Sequence, residues 1–171
     1  MTPDSLLVLI TENNAQASRF QRHLSEELGL PILLVGELND LPDVAEGAPK
    51  TLLLIDLDYL KSTQQELWSN AICQRFGEAS AVLLNAPTST NKELLLMWPH
   101  TSGLFFRQDT LDRLVFGIRK VLQGEYWIPR HLLCDLVDYY RKGSGQPQRQ
   151  QTLLTAREQE IVRHLMTGAS N

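Results

Sequence analysis

The sequence predicts an α/β fold in which helices cover both faces of a five-stranded parallel sheet. Five apolar runs of strand length recur along the chain: SLLVLIT (5–11), PILLVG (31–36), TLLLIDL (51–57), SAVLLNA (80–86) and GLFF (103–106). These runs are continuous rather than alternating, as is typical of strands that are buried on both faces. Segments with helical spacing lie between them, and this alternation indicates a doubly wound sheet.

Three of the intervening segments carry apolar residues at the spacing of a helix. One stripe consists of Ala17, Phe20, Leu24 and Leu28, and another of Leu111, Leu114, Val115, Ile118, Val121 and Leu122. Between the third and fourth runs, the residues at similar intervals are Leu67, Ala71, Ile72 and Arg75. We expect that helix to stop at Gly77, because glycine readily adopts the left-handed conformation that ends helices.

Three further segments predict helices with clear limits. Residues 37–50 contain two prolines and predict a short irregular helix. Residues 86–100 predict a short helix that is capped at Thr90 or Asn91 and ended by Pro99. After Gly124, Pro129 suits the first turn of an extra sixth helix. The apolar face of that helix would consist of Leu132, Leu133, Leu136, Val137 and Tyr140.

The composition is that of a globular protein with one core and a small appendage. The 171 residues are 43% hydrophobic and carry a formal net charge of −4, which disfavours nucleic-acid binding by bulk electrostatics. Cys73 and Cys134 lack metal or disulfide spacing, so we expect reduced, mostly buried thiols and no metal site. No apolar run approaches membrane-helix length, so we expect a cytoplasmic protein. Hydrolase and nucleotide-binding words such as GxSxG and GxGxxG are absent, which argues against an enzyme.

Composition changes sharply after the sixth helix. The stretch KGSGQPQRQQ consists of glycine, proline and glutamine with almost nothing to bury, and indicates a linker. We therefore divide the chain into a regulatory domain with its extra helix (1–142), a flexible linker (143–152) and the start of an all-α unit (153–171). Within the last unit, Thr155 and Glu158 have the spacing of a capping box.

The last unit resembles the helix-turn-helix domain of LuxR-type (NarL/FixJ-like) transcription regulators. The matching residues are Leu154, Thr155, Arg157, Glu158, Glu160 and Ile161, followed one helix later by Gly168, Ala169, Ser170 and Asn171. In that family the recognition helix follows these residues, so the resemblance implies a chain truncated within the domain. Base readout needs a helix in the major groove, and we expect DNA binding by the full-length protein but not by this chain.

The N-terminal unit resembles a receiver domain, which has a flavodoxin-like five-stranded fold. The resemblance places Asp56 at the phosphoacceptor position, Glu12 and Asn13 at the acidic pair, Asn85 at the hydroxyl position and Arg107 at the lysine position. In working receivers these groups hold a divalent cation and the phosphoryl oxygens, so Mg²⁺ is implied only if phosphorylation occurs. Asp56 alone matches the full pattern, and the resemblance therefore implies a degenerate receiver.

Three further sequence motifs resemble those of the biofilm-matrix regulators of the CsgD and VpsT group: LLLNAP, WPHTSGLFF and VLQGEYW. In VpsT-type regulators a Trp-[Phe/Leu/Met]-[Thr/Ser]-Arg word at the foot of the extra helix binds cyclic di-GMP and joins two protomers. Here the word is Trp127, Ile128, Pro129 and Arg130. The outer positions match and the middle two do not. Packing at a helix start, with Arg130 solvated, would explain the same four residues without a ligand.

These resemblances lead to one main hypothesis and two alternatives. The main hypothesis is the regulatory half of a transcription regulator of biofilm or extracellular-matrix genes, which forms a homodimer when cyclic di-GMP binds at Trp127 and Arg130. In the first alternative, a histidine kinase phosphorylates Asp56. In the second, the chain is a constitutive dimerisation module without a ligand. Leu132, Leu136, Val137 and Tyr140 are candidates for the dimer surface. None of the three hypotheses involves a membrane partner.

Overall fold

The computed structural model of the chain describes residues 5–42, 50–60, 62–77 and 79–143. The strands are β1 (Ser5–Ile10), β2 (Ile32–Val35), β3 (Lys50–Asp56), β4 (Ser80–Ala86) and β5 (Thr101–Phe106). The helices are α1 (Ala15–Leu28), α2 (Ser62–Phe76), α3 (Lys92–Met97), α4 (Leu111–Leu122) and α5 (Arg130–Gly143). A 3-10 turn at Leu38–Asp40 lies where the short irregular helix was predicted, and residues 43–49 of that segment lie outside the described residues.

All strand pairs are parallel, and the order across the sheet is β2-β1-β3-β4-β5. This confirms the predicted doubly wound five-stranded sheet. The order reverses at β1 and β3, where Ile10 pairs with Ile55. Ligand sites of such sheets lie outside the carboxyl ends of the strands near this reversal. Thr11, Asp56 and Asn85 therefore fall at the edge of the sheet where chemistry is expected.

Successive strand residues point to opposite faces, which gives the domain two apolar clusters. The first contains Val8, Ile10, Leu53, Ile55 and Leu83 under α2, α3 and α5. The second contains Leu7, Leu9, Leu52, Leu54 and Val82 under α1 and α4. The predicted stripes of α1 and α4 face the second cluster, with Leu24 and Ile118 fully buried.

The helix limits follow the residues expected to cap them. Asn91 accepts a hydrogen bond from the backbone N–H of Glu93 and begins α3, as one of the two predicted caps. Gly77 and Gly124 have φ values of 57° and 89°, left-handed conformations that follow α2 and α4. Both glycines lie where helix ends were predicted.

The predicted apolar stripe of α2 is correct at the buried Ile72 but wrong at Leu67 and Arg75, which are exposed. Trp68 and Ile72 are buried, together with Phe76 one turn later, whereas Leu67 is 58% exposed. These three residues follow the i, i+4, i+8 spacing, and turning the large Trp68 ring inward buries more apolar area than burying Leu67 would.

The expectation of buried thiols is also wrong, because Cys73 and Cys134 are both exposed. Each follows a buried residue of its helix by one or two positions, Ile72 on α2 and Leu132 on α5. A step of one or two positions along a helix leads away from the buried face. Within the described ranges, no helix has the length and apolar character needed to cross a membrane.

The helix predicted as the extra sixth one is α5 of the structure, because the described part of the segment between β2 and β3 contains a 3-10 turn and no α-helix. This helix packs onto the domain that precedes it. Leu132 and Leu136 are 1% and 8% exposed and belong to the first apolar cluster, with Leu95 of α3 in the same cluster. These two leucines are therefore unavailable for a dimer surface, which corrects that part of the expectation. Residues 144–171, with the remaining linker and the LuxR-like segment, lie outside the described residues.

Replacement of Leu136 by alanine should lower the free energy of unfolding by about 2–4 kcal/mol, because it opens a cavity under α5. Asp138→Ala on the exposed side of the same helix is the matched control, with an expected change within about 0.5 kcal/mol. Urea unfolding followed by circular dichroism measures both. Equal small changes in the two variants would show that α5 does not pack on the sheet.

Candidate functional site

Asp56 ends β3 with both carboxylate oxygens engaged by donors from the protein. The Thr11 hydroxyl donates to Oδ2 at 2.7 Å, and the Asn85 amide donates to Oδ1 at 2.8 Å. The backbone N–H of Asp58 also donates to Oδ1, at 3.0 Å. Three strand ends thus meet at one carboxylate, since Thr11 follows β1 and Asn85 lies in β4.

Asn85 reaches Asp56 through an unusual backbone conformation. Its φ is 59°, and it is the one residue other than glycine with positive φ in the described part of the chain. Asparagine tolerates this left-handed region better than most residues. The pairing of β4 with β5 is irregular between Leu83 and Ala86, on either side of this residue. At the end of β4, an amide therefore contacts the Asp56 carboxylate at the position where a working receiver has a hydroxyl.

Arg107, at the position of the receiver lysine, binds Asp58 instead of Asp56. Its Nε donates to Asp58 Oδ1 at 2.8 Å and to Oδ2 at 3.0 Å, and its Nη2 contacts the same carboxylate. The hydrogen bond and the charge of Asp58 raise the pKa of the Arg107 guanidinium above its ordinary value. Both side chains are largely exposed, so this pair mainly orients the loops after β3 and β5.

The acidic-pair positions are not arranged to hold a cation. Glu12 and Asn13 are exposed, and Glu12 accepts a hydrogen bond from Asn14 at 2.9 Å. Asn14 in turn caps α1 through Ala17. Across the described ranges, no three His, Cys, Asp or Glu side chains converge as metal ligands. The residues present therefore do not fit the Mg²⁺ site of a working receiver.

The Asp56 edge is nonetheless open to solvent. A cavity of about 810 Å³ lies over it between α1 and α4, lined among others by Thr11, Asp56, Phe20 and Leu114. Lack of solvent access is therefore not what distinguishes Asp56 from a working phosphoacceptor. The difference from a working receiver lies in the hydrogen bonds that already occupy the carboxylate and in the missing acids.

The second predicted site begins with Trp127, whose backbone extends the sheet. Its N–H donates to the carbonyl of Ser102 at 2.8 Å, and its own carbonyl accepts from the N–H of Leu104 at 2.8 Å. Trp127 thereby forms a parallel bridge with Gly103 on the outer edge of β5. One residue acts as a sixth strand, and its position is fixed by main-chain hydrogen bonds.

The Trp127 ring lies among side chains of β5 and α4. It stacks on the buried Phe105 with 6.1 Å between ring centroids and 20° between planes, and it meets the edge of Phe116 at 5.7 Å. The guanidinium carbon of Arg113 is 5.5 Å from its centroid. Close packing here depends on Gly117, where an added Cβ would lie 2.5 Å from Phe105 Cζ and 2.8 Å from Trp127 Cδ2.

The other three residues of the Trp127–Arg130 motif lie in different environments. Ile128 packs against the first apolar cluster, on the sheet face opposite to the Trp127 ring. The Pro129 carbonyl accepts hydrogen bonds from Leu132 and Leu133, which close the first turn of α5. Arg130 is exposed at the first position of α5, and its side chain has no partner among the described residues. Trp127 and Ile128 thus have packing roles, and the Pro129 carbonyl helps to start α5.

Sequence reasoning missed several residues that define these sites. Thr11 was interpreted only as the end of an apolar run. Its hydroxyl follows β1 directly and contacts Asp56 at the end of the neighbouring strand, β3. Asp58 is the second acid of the word LLLIDLD and partners Arg107. Arg113 and Gly117 are one helical turn apart on α4, the helix that faces Trp127, and no local pattern marks them.

The fold, with Asp56 at the end of β3 and an extra helix beyond β5, is that of a receiver-like domain. Two solved structures share the fold. The CsgD regulatory domain, titled a master biofilm regulator, has a TM-score of 0.68 at 23% identity and covers 78% of this chain and 98% of its own. The response regulator ChrA of a heme-sensing two-component system has a TM-score of 0.50 at 13% identity, covering 96% and 76%.

Sequence comparison then gives the family. The family described as "VpsT-like, receiver domain" matches residues 9–130, more than half of the chain. The CsgBAC operon transcriptional regulatory protein of Escherichia coli K12 is 29% identical over 168 residues, which are 96% of this chain and 74% of that protein. The probable csgAB operon transcriptional regulatory protein of Salmonella typhimurium LT2 is 28% identical with the same coverage. The chain belongs to the VpsT-like receiver family and is a transcriptional regulator of the CsgD type.

Gly117→Ala should destabilise the domain and displace Trp127. Alanine normally stabilises a helix interior by about 0.5–1 kcal/mol over glycine, but here overpacking against Phe105 and Trp127 should cost about 1–3 kcal/mol. Thermal unfolding and tryptophan fluorescence measure the effect. Gly143→Ala on α5, where an added Cβ meets nothing within 4 Å, is the control. A stabilised Gly117→Ala protein with unchanged fluorescence would contradict the packing described.

Proposed function

We propose that this chain is the regulatory half of a DNA-binding regulator of biofilm-matrix genes, and that cyclic di-GMP controls its homodimerisation. The relatives named for csg operons and the CsgD structure support the choice of genes. The DNA contact is assigned to the LuxR-like segment and to the rest of that domain in the full-length protein. This division accords with the net charge of −4, which gives the chain no surplus of cations for phosphate binding.

One observation carries the ligand proposal: the exposed guanidinium of Arg130 lies at the N-terminus of α5 and has no partner among the residues that the structure describes. A helix N-terminus carries partial positive charge, so a cation there is electrostatically unfavourable by a few tenths of a kcal/mol or more. A bound phosphate reverses this sign, because it interacts favourably with both the helix end and the guanidinium. The N–H groups of Arg130 and His131, which precede the pair that bonds to the Pro129 carbonyl, add donors that Pro129 itself lacks.

Trp127 contributes an aromatic surface that its backbone holds in place. The parallel bridge to Gly103 fixes the start of the word, so stacking of a guanine base would require little ordering of the main chain. Ile128 packs on the first apolar cluster and the Pro129 carbonyl bonds the first turn of α5, so both serve the site only by setting the path from Trp127 to Arg130. The proposed contacts are therefore Trp127 for the base and Arg130 for the phosphate.

The structure disfavours control by phosphorylation at Asp56. Both oxygens of that carboxylate accept hydrogen bonds from the protein, and Arg107 is held by Asp58. A phosphoryl group on Oδ1 would displace the donors from Asn85 and Asp58, and one on Oδ2 would displace the Thr11 hydroxyl. No cationic side chain of a described residue donates to Asp56 to compensate. A histidine kinase is accordingly a partner only in that alternative.

A constitutive dimer without a ligand is the second candidate function. The observation in its favour is the packing of Trp127 between Phe105 and Phe116, which explains this residue without a nucleotide. Phe116 is 54% exposed and Tyr139 is 48% exposed, and both could contribute to an interface. An association state that is independent of cyclic di-GMP is the result this candidate expects.

Calorimetric titration of cyclic di-GMP into this chain and its variants tests the proposal. Arg130→Ala should weaken binding about tenfold or more, since it removes a charge-assisted contact to phosphate. Trp127→Phe retains a flat ring and should weaken binding about threefold through the smaller stacking surface. Circular dichroism confirms that each variant is folded.

The charge-matched control is Arg22→Ala on α1, an exposed arginine whose side chain has no partner among the described residues. It lowers the net positive charge as much as Arg130→Ala does, and its affinity should equal that of the parent. Absence of binding by the parent chain would refute the ligand proposal. Equal loss of affinity in both arginine variants would show a general charge effect instead of a site.

A further inference from the structure

Arg113 covers the aromatic ring that the proposed ligand needs. Its guanidinium carbon lies 5.5 Å from the Trp127 ring centroid, within the range of a cation–π contact. Its Nε also pairs with Asp109 Oδ1 at 3.0 Å, one helical turn earlier. Two interactions therefore hold the same guanidinium over Trp127.

Asp109 is a firm attachment point for this guanidinium. Its Oδ2 accepts a hydrogen bond from the backbone N–H of Phe106 at 2.8 Å, which ties the carboxylate to the end of β5. The Asp109 side chain is only 13% exposed, whereas that of Arg113 is 58% exposed. The carboxylate is thus fixed by the sheet, and the arginine reaches out from it across the surface.

Phe105, Phe116 and Arg113 all contact the Trp127 ring, and Phe105 and Arg113 differ in how readily they can leave it. Phe105 is fully buried and belongs to β5, so it forms the permanent inner support of the ring. Arg113 contacts the same ring with a side chain that is 58% exposed. A planar base that stacks on the part of the Trp127 ring where Arg113 lies must take the place of the guanidinium.

We propose that Arg113 is a gating residue of the nucleotide site, which occupies the outer face of Trp127 in the free chain and is displaced when a guanine base binds. This inference rests on the proposed function. The gate lowers affinity, because binding must first break the contact with Trp127. Asp109 strengthens the gate by holding the guanidinium in its covering position.

Removal of the guanidinium should therefore tighten binding. An exposed cation–π contact corresponds to about a twofold to fivefold change in affinity, and Arg113→Ala should increase cyclic di-GMP affinity by about that factor. Asp109→Asn keeps an oxygen for the Phe106 N–H but loses the ion pair, so it should increase affinity by a smaller factor. Arg22→Ala again controls for the loss of one positive charge.

A second readout needs no nucleotide. Trp68 and Trp98 are 4% and 3% exposed, so acrylamide quenching of tryptophan fluorescence mainly reports on Trp127. Arg113→Ala should increase the quenching constant relative to the parent and to Arg22→Ala. Circular dichroism establishes that the variants are folded to the same extent.

The outcomes separate this inference from the proposed function. If neither the parent nor Arg113→Ala binds cyclic di-GMP, the proposed function is wrong and the gate has no ligand to admit. If the parent binds and Arg113→Ala binds equally or more weakly, the gating role is wrong while the proposed function stands. Unchanged acrylamide quenching in Arg113→Ala would also overturn the gate, since Trp127 would not have been covered.

Discussion

Two backbone hydrogen bonds between Trp127 and β5 set the geometry of the chain between β5 and α5. They turn one residue into a short sixth strand, and strand alternation then sends consecutive side chains to opposite faces of the sheet. The Trp127 ring joins the cluster under α1 and α4, while Ile128 joins the cluster under α2, α3 and α5. Over Trp127 and Ile128 the chain thus passes from one face of the sheet to the other, and α5 lies on the face opposite α4. Gly117 allows the close approach of the Trp127 ring, because a Cβ there would press on Phe105 and Trp127.

At the carboxyl edge of the sheet, residues in receiver positions form a structural network. Asp56 receives donors from the ends of β1 and β4 and from its own loop, and Arg107 joins the end of β5 to Asp58. A hydrogen bond to a charged group contributes about 1.5–3 kcal/mol when partly shielded from water. The Arg107 pair is exposed and contributes less. The network therefore ties the strand ends together without the arrangement that phosphoryl transfer requires, and the word that begins with Trp127 is left as the candidate point of control.

The sequence predicted the fold well because its strands are continuous apolar runs and its helix ends carry Asn91, Gly77 and Gly124. In α2 it predicted the buried Ile72 but missed Trp68, because interval counting gave Leu67 the same weight as the much larger Trp68. It identified Asp56, Asn85 and Arg107 only through the receiver resemblance. The actual partners depend on which strand ends meet: Thr11 and Asp56 are 45 residues apart in sequence. The contact between Arg113 and Trp127 depends likewise on the crossing of α4 with the edge of β5, which no local pattern encodes.

The central claim is that association of this regulator responds to a nucleotide at the Trp127–Arg130 word and not to phosphorylation of Asp56. Sedimentation velocity of the chain, measured alone, with cyclic di-GMP, and with beryllofluoride plus Mg²⁺ as a phosphoryl analogue, tests this claim most directly. Cyclic di-GMP should increase the dimer fraction, and beryllofluoride should leave the sedimentation profile unchanged. Dimerisation by beryllofluoride together with no response to cyclic di-GMP would contradict the account.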